Sequence, residues 1–196
     1  MVNPGRGYRN EFRIIAGLWR RRRLSFPDLP GIRPSPDRVR ETLFNWLMYR
    51  IAGARCLDLF AGSGALGLEA LSRGAAGVLF VDRERQVLEA LREHLDLLHA
   101  DGGELLQADA LTFLRGPARP FDIVFLDPPF DSTLLAQSVA ALEQTGWLAP
   151  QANIYMEYPQ GLAITLPAGW ERSRDGHAGR VGFALARRTR AKLAQD

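Results

Sequence analysis

From Cys56 onward, short apolar runs alternate with stretches of helical periodicity, and that alternation leaves the chain few folds to choose from. The run Cys56–Phe60 precedes a predicted helix over about 64–73, which Gly74 ends. Val78–Val81 leads into a helix over about 84–99, and Leu105–Gln107 into a short one near 110–115. Ile123–Leu126 leads into a helix over about 132–145, ended by Gly146. Strands joined through helices run parallel, and helices crossing on both sides bury both faces of the sheet. After Asn153–Tyr158 the rhythm changes: Trp170–Arg174 and Arg180–Ala186 flank Asp175-Gly176, a hairpin signal. The expected fold is therefore α/β, a doubly wound, mostly parallel sheet ending in an antiparallel hairpin.

Upstream of Cys56 the pattern is different. Residues 1–10 read as a loose tail rich in Gly, Pro and Arg, Arg13–Trp19 reads as strand-like, and the run Arg20–Arg23 follows. Phe26–Pro36 contains Pro27, Pro30, Pro34 and Pro36 and reads as an extended loop. Ser35 before Pro36 resembles an N-cap with proline at the first helical position. Behind it Val39, Leu43, Trp46, Leu47 and Ile51 recur at helical spacing, giving an amphipathic helix over about 37–51. These signals divide the chain into a small basic arm over 1–36, a main domain over 37–188 and a tail over 189–196.

Composition narrows the function classes. A chain of 196 residues, 46% of them hydrophobic, can bury one core and is too apolar for intrinsic disorder. A single cysteine excludes a disulfide scaffold. No apolar run approaches the ~18 residues of a membrane span, and the start MVNPGRGYRN lacks a signal peptide's apolar region. The expectation is a cytoplasmic monomer with no membrane attachment. The formal charge of +3 conceals a segregation. Residues 1–55 hold 12 Arg against 4 acids, residues 56–171 hold 6 Arg against 16 acids, and residues 172–196 hold 7 basic groups against 2 acids. Compositional bias accounts for 24 of the 25 basic residues being Arg, but not for their placement. Basic ends around an acidic middle suit a polyanionic partner.

Between the first predicted strand and helix lies Leu57-Asp58-Leu59-Phe60-Ala61-Gly62-Ser63-Gly64-Ala65-Leu66-Gly67. Glycines there allow a tight turn and let a ligand approach the backbone amides at the helix start. The spacing Gly62, Gly64, Gly67 also matches the dinucleotide fingerprint G-x-G-x-x-G, which leaves a nicotinamide dehydrogenase open. Asp58, four residues before the first glycine, needs a donor if it is buried. Loop amides or a cationic amino group would serve, whereas a pyrophosphate would be repelled. Asp82 ends the next apolar run, where an acid suits ribose hydroxyls or caps the following helix. Asp109, just after Leu105–Gln107, could accept from an adenine amino group beside the Ala110 amide, or cap its own helix. Three acids ending three successive strands line one edge, and a ligand carrying a sulfonium amino acid, a ribose and an adenine fits that edge.

The run Ile123–Leu126 passes directly into Asp127-Pro128-Pro129-Phe130. Two prolines cannot continue a central strand, so the chain leaves the sheet here with its exit stiffened and its carbonyls free as acceptors. A carboxylate and a carbonyl hold both hydrogens of an exocyclic amine, and Phe130 stacks on the base that carries it. Hydrogen bonding to both N–H groups frees the nitrogen lone pair for in-line attack, so positioning supplies most of the rate enhancement. The alternative is a rigid turn with a core phenylalanine.

The glycine loop, Asp82, Asp109 and Asp127-Pro128-Pro129-Phe130 resemble the S-adenosylmethionine-dependent methyltransferases that modify exocyclic amines. Three stretches look more specifically like the RsmD family: Arg13-Ile14-Ile15-Ala16-Gly17-Leu18-Trp19, Arg33–Leu47 and Leu57–Ala70. The likeness spans roughly residues 12–188, and Arg33–Leu47 is its most specific block. The resemblance implies a Rossmann-like class I methyltransferase sheet and methylation of guanine N2 in small-subunit (16S) ribosomal RNA, at the site conventionally called position 966. The implied substrate is rRNA, within a small subunit or an assembly intermediate. By resemblance, Asp58 with Phe60, Ala61, Gly62, Ser63 and Gly64 faces the methionine part of S-adenosylmethionine. Asp82 with Arg83 holds the ribose, Asp109 with Ala110 the adenine, and Asp127–Phe130 the guanine, with Asp127 also counted among the cofactor's contacts. Arg33, Ser35, Asp37 and Arg38 close over cofactor or base. Apart from the resemblance, Arg20, Arg21, Arg22 and Arg23 read either as a solvated loop or, clustered with Arg6, Arg9, Arg13 and Trp19, as a grip on RNA phosphates to which Arg33 and Arg38 add. Two departures stand out. The family usually has glycine in a Trp-x-Gly-Arg stretch, where this chain runs Trp19-Arg20-Arg21-Arg22-Arg23, which implies stronger phosphate contact. Asp82 is more often Glu in the family.

The four-residue motif does not name the base, so an adenine-N6 or cytosine-N4 DNA methyltransferase stays open, as does a non-catalytic RNA-binding assembly factor. His94, His99 and His177 lack metal-ligand spacing or a nucleophile partner, and Cys56 begins an apolar strand; solvated or core roles are expected, and no metal.

Overall fold

The structure is a computed structural model that describes residues 10–30, 34–130 and 132–189. Nine strands and five helices are present among these residues. In chain order they are β1 (Asn10–Arg13), β2 (Arg23–Phe26), α1 (Asp37–Trp46), β3 (Arg55–Asp58), α2 (Ala65–Ser72), β4 (Gly77–Asp82) and α3 (Arg85–Leu98). Then come β5 (Gly103–Gln107), α4 (Ala110–Leu114), β6 (Phe121–Leu126), α5 (Leu134–Gln144), β7 (Leu148–Pro159), β8 (Trp170–Ala178) and β9 (Val181–Arg188).

The apolar runs become a seven-stranded sheet of order β5-β4-β3-β6-β7-β9-β8. Strands β3 to β7 are parallel, while β9 pairs antiparallel with both β7 and β8. Successive side chains point to opposite faces, so each strand feeds two cores. Cys56, Phe80, Ile123, Phe125 and Tyr155 belong to one, which α1, α2 and α3 cover. Leu57, Leu79, Val124, Ile154 and Met156 belong to the other, closed by α4 and α5. Chain direction across the sheet reverses between β3 and β6, the topological switch point where such sheets bind ligands at their carboxyl ends.

Several local expectations shift. Arg13–Trp19 is not a strand: β1 ends at Arg13 and pairs antiparallel with β2, and the chain between them forms a turn. Ile14 and Arg22 close that turn, the Ile14 amide donating to the Arg22 carbonyl at 2.9 Å. Ser35 does not cap α1; the cap position is Pro36, and the serine hydroxyl is used elsewhere. The helix stops at Trp46, five residues before Ile51, and continues as a turn. The β8–β9 turn falls at Gly179-Arg180, not at Asp175-Gly176, which sit within β8 opposite Ala184 and Phe183. Gly176 is there for space: a Cβ would lie 2.8 Å from the Phe183 ring.

The β1–β2 hairpin joins the main core through Phe12, Ile14, Leu24 and Phe26. Its turn docks on α2. Glu69 accepts from the amides of Ile15 at 2.7 Å and Ala16 at 3.0 Å, and Ser72 accepts from those of Leu18 and Trp19. Gly17, at φ 83, makes this approach possible, because a Cβ would lie 1.8 Å from the Ser72 carbonyl oxygen.

Candidate active site

Strand register aligns the acids at the carboxyl edge. Asp58 pairs with Phe80 on one side and Phe125 on the other, so Asp82 and Asp127 each extend two residues past it. Leu126 pairs with Met156, which brings Glu157 beside Asp127. Across adjacent strands the edge reads Asp109, Asp82, Asp58, Asp127, Glu157.

The glycine loop is built by its own backbone. The Ala61 amide donates to the Val81 carbonyl, and the Gly64 amide to that of Ala61 at 2.7 Å. Gly62 and Gly64 take φ values of 50 and 77, open to glycine without strain. Asp82 ties loop to sheet: one carboxyl oxygen accepts from the Gly62 amide at 2.9 Å, the other from the Glu84 amide at 2.9 Å. Ser63 and Ala61 are buried and Phe60 half-buried. Arg83 is exposed and pairs with Glu84 at 3.1 Å.

Asp58 is buried and accepts at 3.0 Å from the amide of Gly67, in the first turn of α2 and just past the loop whose amides were expected to serve it. Burial pushes its carboxyl up to about 8, opposed by that N–H and reinforced by Asp82. Gly67 permits the contact, since a Cβ would lie 2.2 Å from the Phe80 ring. Asp109 is exposed and caps α4, accepting from Thr112 N at 2.9 Å; that bond holds its carboxyl below the usual carboxylate range. Ala110, behind it, is buried.

Asp127 stands where β6 ends. Pro128 is buried, while Pro129 and Phe130 are exposed, the phenylalanine by 40%. The Pro129 carbonyl is not wholly free, because the Ser132 hydroxyl donates to it at 2.6 Å. Ser35 Oγ lies 3.5 Å from Asp127 Oδ2 and 2.5 Å from Glu157 Oε1, and the Tyr155 hydroxyl also donates to Glu157 Oε1, at 2.8 Å. Burial raises both carboxyls; Glu157 and Asp58 push Asp127 up further, whereas Ser35, Tyr155 and Arg40 pull Glu157 down. Glu157 and Tyr155 escaped the sequence reading. The available signal was one carboxylate inside the apolar run Ile154–Tyr158, at the same sheet edge as Asp127.

Arg40, wholly buried, braces this corner by donating to the carbonyls of Ser35 at 3.2 Å and Arg13 at 2.9 Å. It also meets Asp37 at 2.5 Å and Glu69 at 3.8 Å. Of the expected RNA-binding positions, Arg13, Arg20, Arg21, Arg22, Arg23 and Arg38 are exposed. Arg13 pairs with Asp37 at 3.1 Å and Arg23 with Glu11 at 3.6 Å. Trp19 is half-buried against the core. Arg33 lies outside the described residues, as do Arg6, Arg9 and Lys192. Cys56 is buried and its thiol pushed up by that burial, so it stays protonated.

The family model "Conserved hypothetical protein 95" matches residues 12–187. Ribosomal RNA small subunit methyltransferase D of Escherichia coli K12 is 47% identical over 190 residues, 96% of each chain. The chain belongs to the RsmD family. The solved structure of Escherichia coli yhhF superposes with a TM-score of 0.86 at 46% identity, covering 93% of this chain and 100% of that one. The fold extends further, to SMU.776 complexed with SAH, at TM-score 0.65 and 16% identity over 84% of this chain and 52% of that one. As an RsmD-family methyltransferase the chain uses S-adenosylmethionine. The edge suits such a ligand chemically: the groups acting on Asp58 and Asp127 are acids, an amide and a hydroxyl, so a molecule bringing positive charge lowers the cost of ionising them.

Proposed function

We propose that the protein transfers a methyl group from S-adenosylmethionine to the exocyclic N2 of a guanine in 16S ribosomal RNA, directly and without a covalent enzyme intermediate. The observation that carries the reading is the pairing, across the switch point, of Asp127-Pro128-Pro129-Phe130 on β6 with Asp58 and the glycine loop on β3. When bound, the cofactor supplies an electrophilic methyl group on sulfur. Asp58 and the loop Phe60, Ala61, Gly62, Ser63 and Gly64 receive its methionine part. Asp82 and Arg83 flank its ribose, and Asp109 and Ala110 its adenine.

The target base enters beside Phe130, whose exposed ring is free to stack on it. Asp127 accepts from the amine and orients it, so the site acts chiefly by alignment. RNA is gripped by the basic arm over 1–36 and by Arg38, on a substrate that is a small subunit or an assembly intermediate in the cytoplasm, with the protein acting as a monomer.

The test incubates the protein with labelled S-adenosylmethionine and unmodified small subunits, naked rRNA or DNA, followed by identification of the methylated nucleoside. N2-methylguanosine in 16S rRNA is expected, and methyladenine or methylcytosine in DNA would overturn the assignment. Asp127→Ala should retain cofactor binding and lose transfer by about 10²-fold or more. Full activity in that variant would remove Asp127 from the reaction.

A further inference from the structure

Glu157 is a buried carboxyl group at the active edge that orientation of the amine by Asp127 leaves without a task. The Ser35 hydroxyl stands between the two carboxyls, 2.5 Å from Glu157 Oε1 and 3.5 Å from Asp127 Oδ2. It has one hydrogen to give and two acids to serve. We propose that Ser35 and Glu157 complete the proton-accepting device of Asp127: the proton shed by the target amine onto Asp127 passes through the Ser35 hydroxyl to Glu157.

This role rests on the amine-methylating reading above. As the amine lone pair becomes the new N–C bond, the pair of the broken C–S bond leaves with sulfur, and one N–H proton must go. It goes to Asp127. In the second step the Asp127 carboxyl gives its proton to Ser35 Oγ while the serine hydroxyl gives its own to Glu157 Oε1. Asp127 is again a carboxylate, Ser35 is unchanged, and Glu157 holds the proton until product leaves.

The surroundings fit a relay better than a static pair. Ser35 is held from behind, its carbonyl accepting from buried Arg40 at 3.2 Å, so its hydroxyl is aimed by the backbone. Besides Ser35, the groups acting on the two carboxyls are the acid Asp58 on β3, Tyr155 on β7 and Arg40 on α1. Tyr155 donates its hydroxyl to Glu157 and keeps its own proton, because burial and Glu157 both raise it well above the ordinary range. Asp127 is half-buried and followed by the exposed Phe130, whereas Ser35 and Glu157 are both buried, so the proposed path runs from the substrate side into the protein.

Opposite electrostatic effects make the role testable. Glu157 raises the Asp127 carboxyl, and the Ser35 hydroxyl lowers it. Steady-state transfer to unmodified small subunits, at saturating cofactor and RNA, needs Asp127 regenerated as a carboxylate in each cycle and should rise with pH as Asp127 ionises. Glu157→Gln should move that limb to lower pH and Ser35→Ala to higher pH, each with the plateau down at least about tenfold. Ser35→Thr should restore both limb and plateau. The free protein supplies a second reading: infrared difference titration of the carboxylic C=O band, assigned with Asp127→Asn, should show the same opposite shifts without RNA.

Thermal melts check folding, and if Glu157→Gln does not fold, the Ser35→Ala and Ser35→Thr pair decides. An active wild type whose variants leave limb and band unmoved, or move them in one direction, overturns the relay alone. A wild type that methylates no RNA overturns the functional reading and the relay with it, even if the bands shift.

Discussion

Arg21 occupies the left-handed region at φ 69, one of two non-glycine residues among those described that do so. It is the third residue of Trp19-Arg20-Arg21, where the family resemblance leads one to expect glycine, and a side chain in this conformation is a local strain of about 1 kcal/mol. The turn tolerates it because the Arg21 amide donates to the Ile14 carbonyl at 2.8 Å and the Gly17 loop beside it is fixed on Ser72. What the strain supplies is a further cation on an exposed turn. Arg21→Gly should therefore raise unfolding free energy by about 0.5–1 kcal/mol, read from the urea midpoint. The same variant should bind RNA more weakly, with its salt dependence reduced by about one phosphate contact. A destabilised Arg21→Gly would mean the side chain, and not the backbone, holds the turn.

At the scale of elements, the β1–β2 hairpin closes over α3 through His94. The imidazole is buried, sits edge-on to Phe12 at 6.4 Å and bonds the backbone of Ser25, and its Nδ1 has no partner among the described residues. Burial lowers it to about 4. Between that value and the ordinary 6.5 the unfolded chain binds a proton that the folded chain refuses, so stability falls as pH drops through this window. Asp58, raised to about 8, has the opposite sign and loses stability as pH rises from about 4 to 8. The histidine contribution is isolated by difference. Wild type should lose on the order of 2–3 kcal/mol more than His94→Leu between pH 6.5 and 4, measured by urea melts. Identical pH slopes would mean that water reaches the ring.

The same scale explains what could be read ahead of the fold. Strands β3, β4 and β6 are buried on both faces, so their apolar runs stand out, and each ends on or just before an acid that marks the edge. Asp127-Pro128-Pro129-Phe130 was legible because proline has a single backbone meaning after such a run. Ser35 was misread because its local neighbourhood, a proline and a helix start, is that of a cap. Its actual partner Glu157 is 122 residues away, and no local pattern encodes that distance. Arg40 and Glu69 were invisible for the same reason: a buried charge in a helix looks like a surface charge until its partner is known. The β8–β9 turn was misplaced because Asp175-Gly176 fits a tight turn equally well, and only the Phe183 ring shows why Gly176 is needed inside a strand.

For the whole molecule, the segregation of charge becomes a separation in space. Five acids of the middle segment, Asp58, Asp82, Asp109, Asp127 and Glu157, stand at the carboxyl edge of the sheet, where α2 begins, whereas the Arg20–Arg23 turn belongs to the loop docked on Ser72, where α2 ends. Eight residues of helix separate the two, about 12 Å. Phosphate contacts at the turn and cofactor contacts at the glycine loop are therefore independent to first order, and exposed cations that far away are largely screened at physiological salt. Changing Arg20, Arg21, Arg22 and Arg23 together to Gln should weaken rRNA binding and lower the slope of log affinity against log salt by about three. Cofactor affinity, measured by calorimetry on the free protein, should stay within about twofold. The connection between the two regions is mechanical, through Glu69, which holds the amides of Ile15 and Ala16 from the middle of α2. If the fourfold variant lost both affinities together, the turn would be an anchor of the hairpin on that helix, and the glycine loop would depend on an anchored α2.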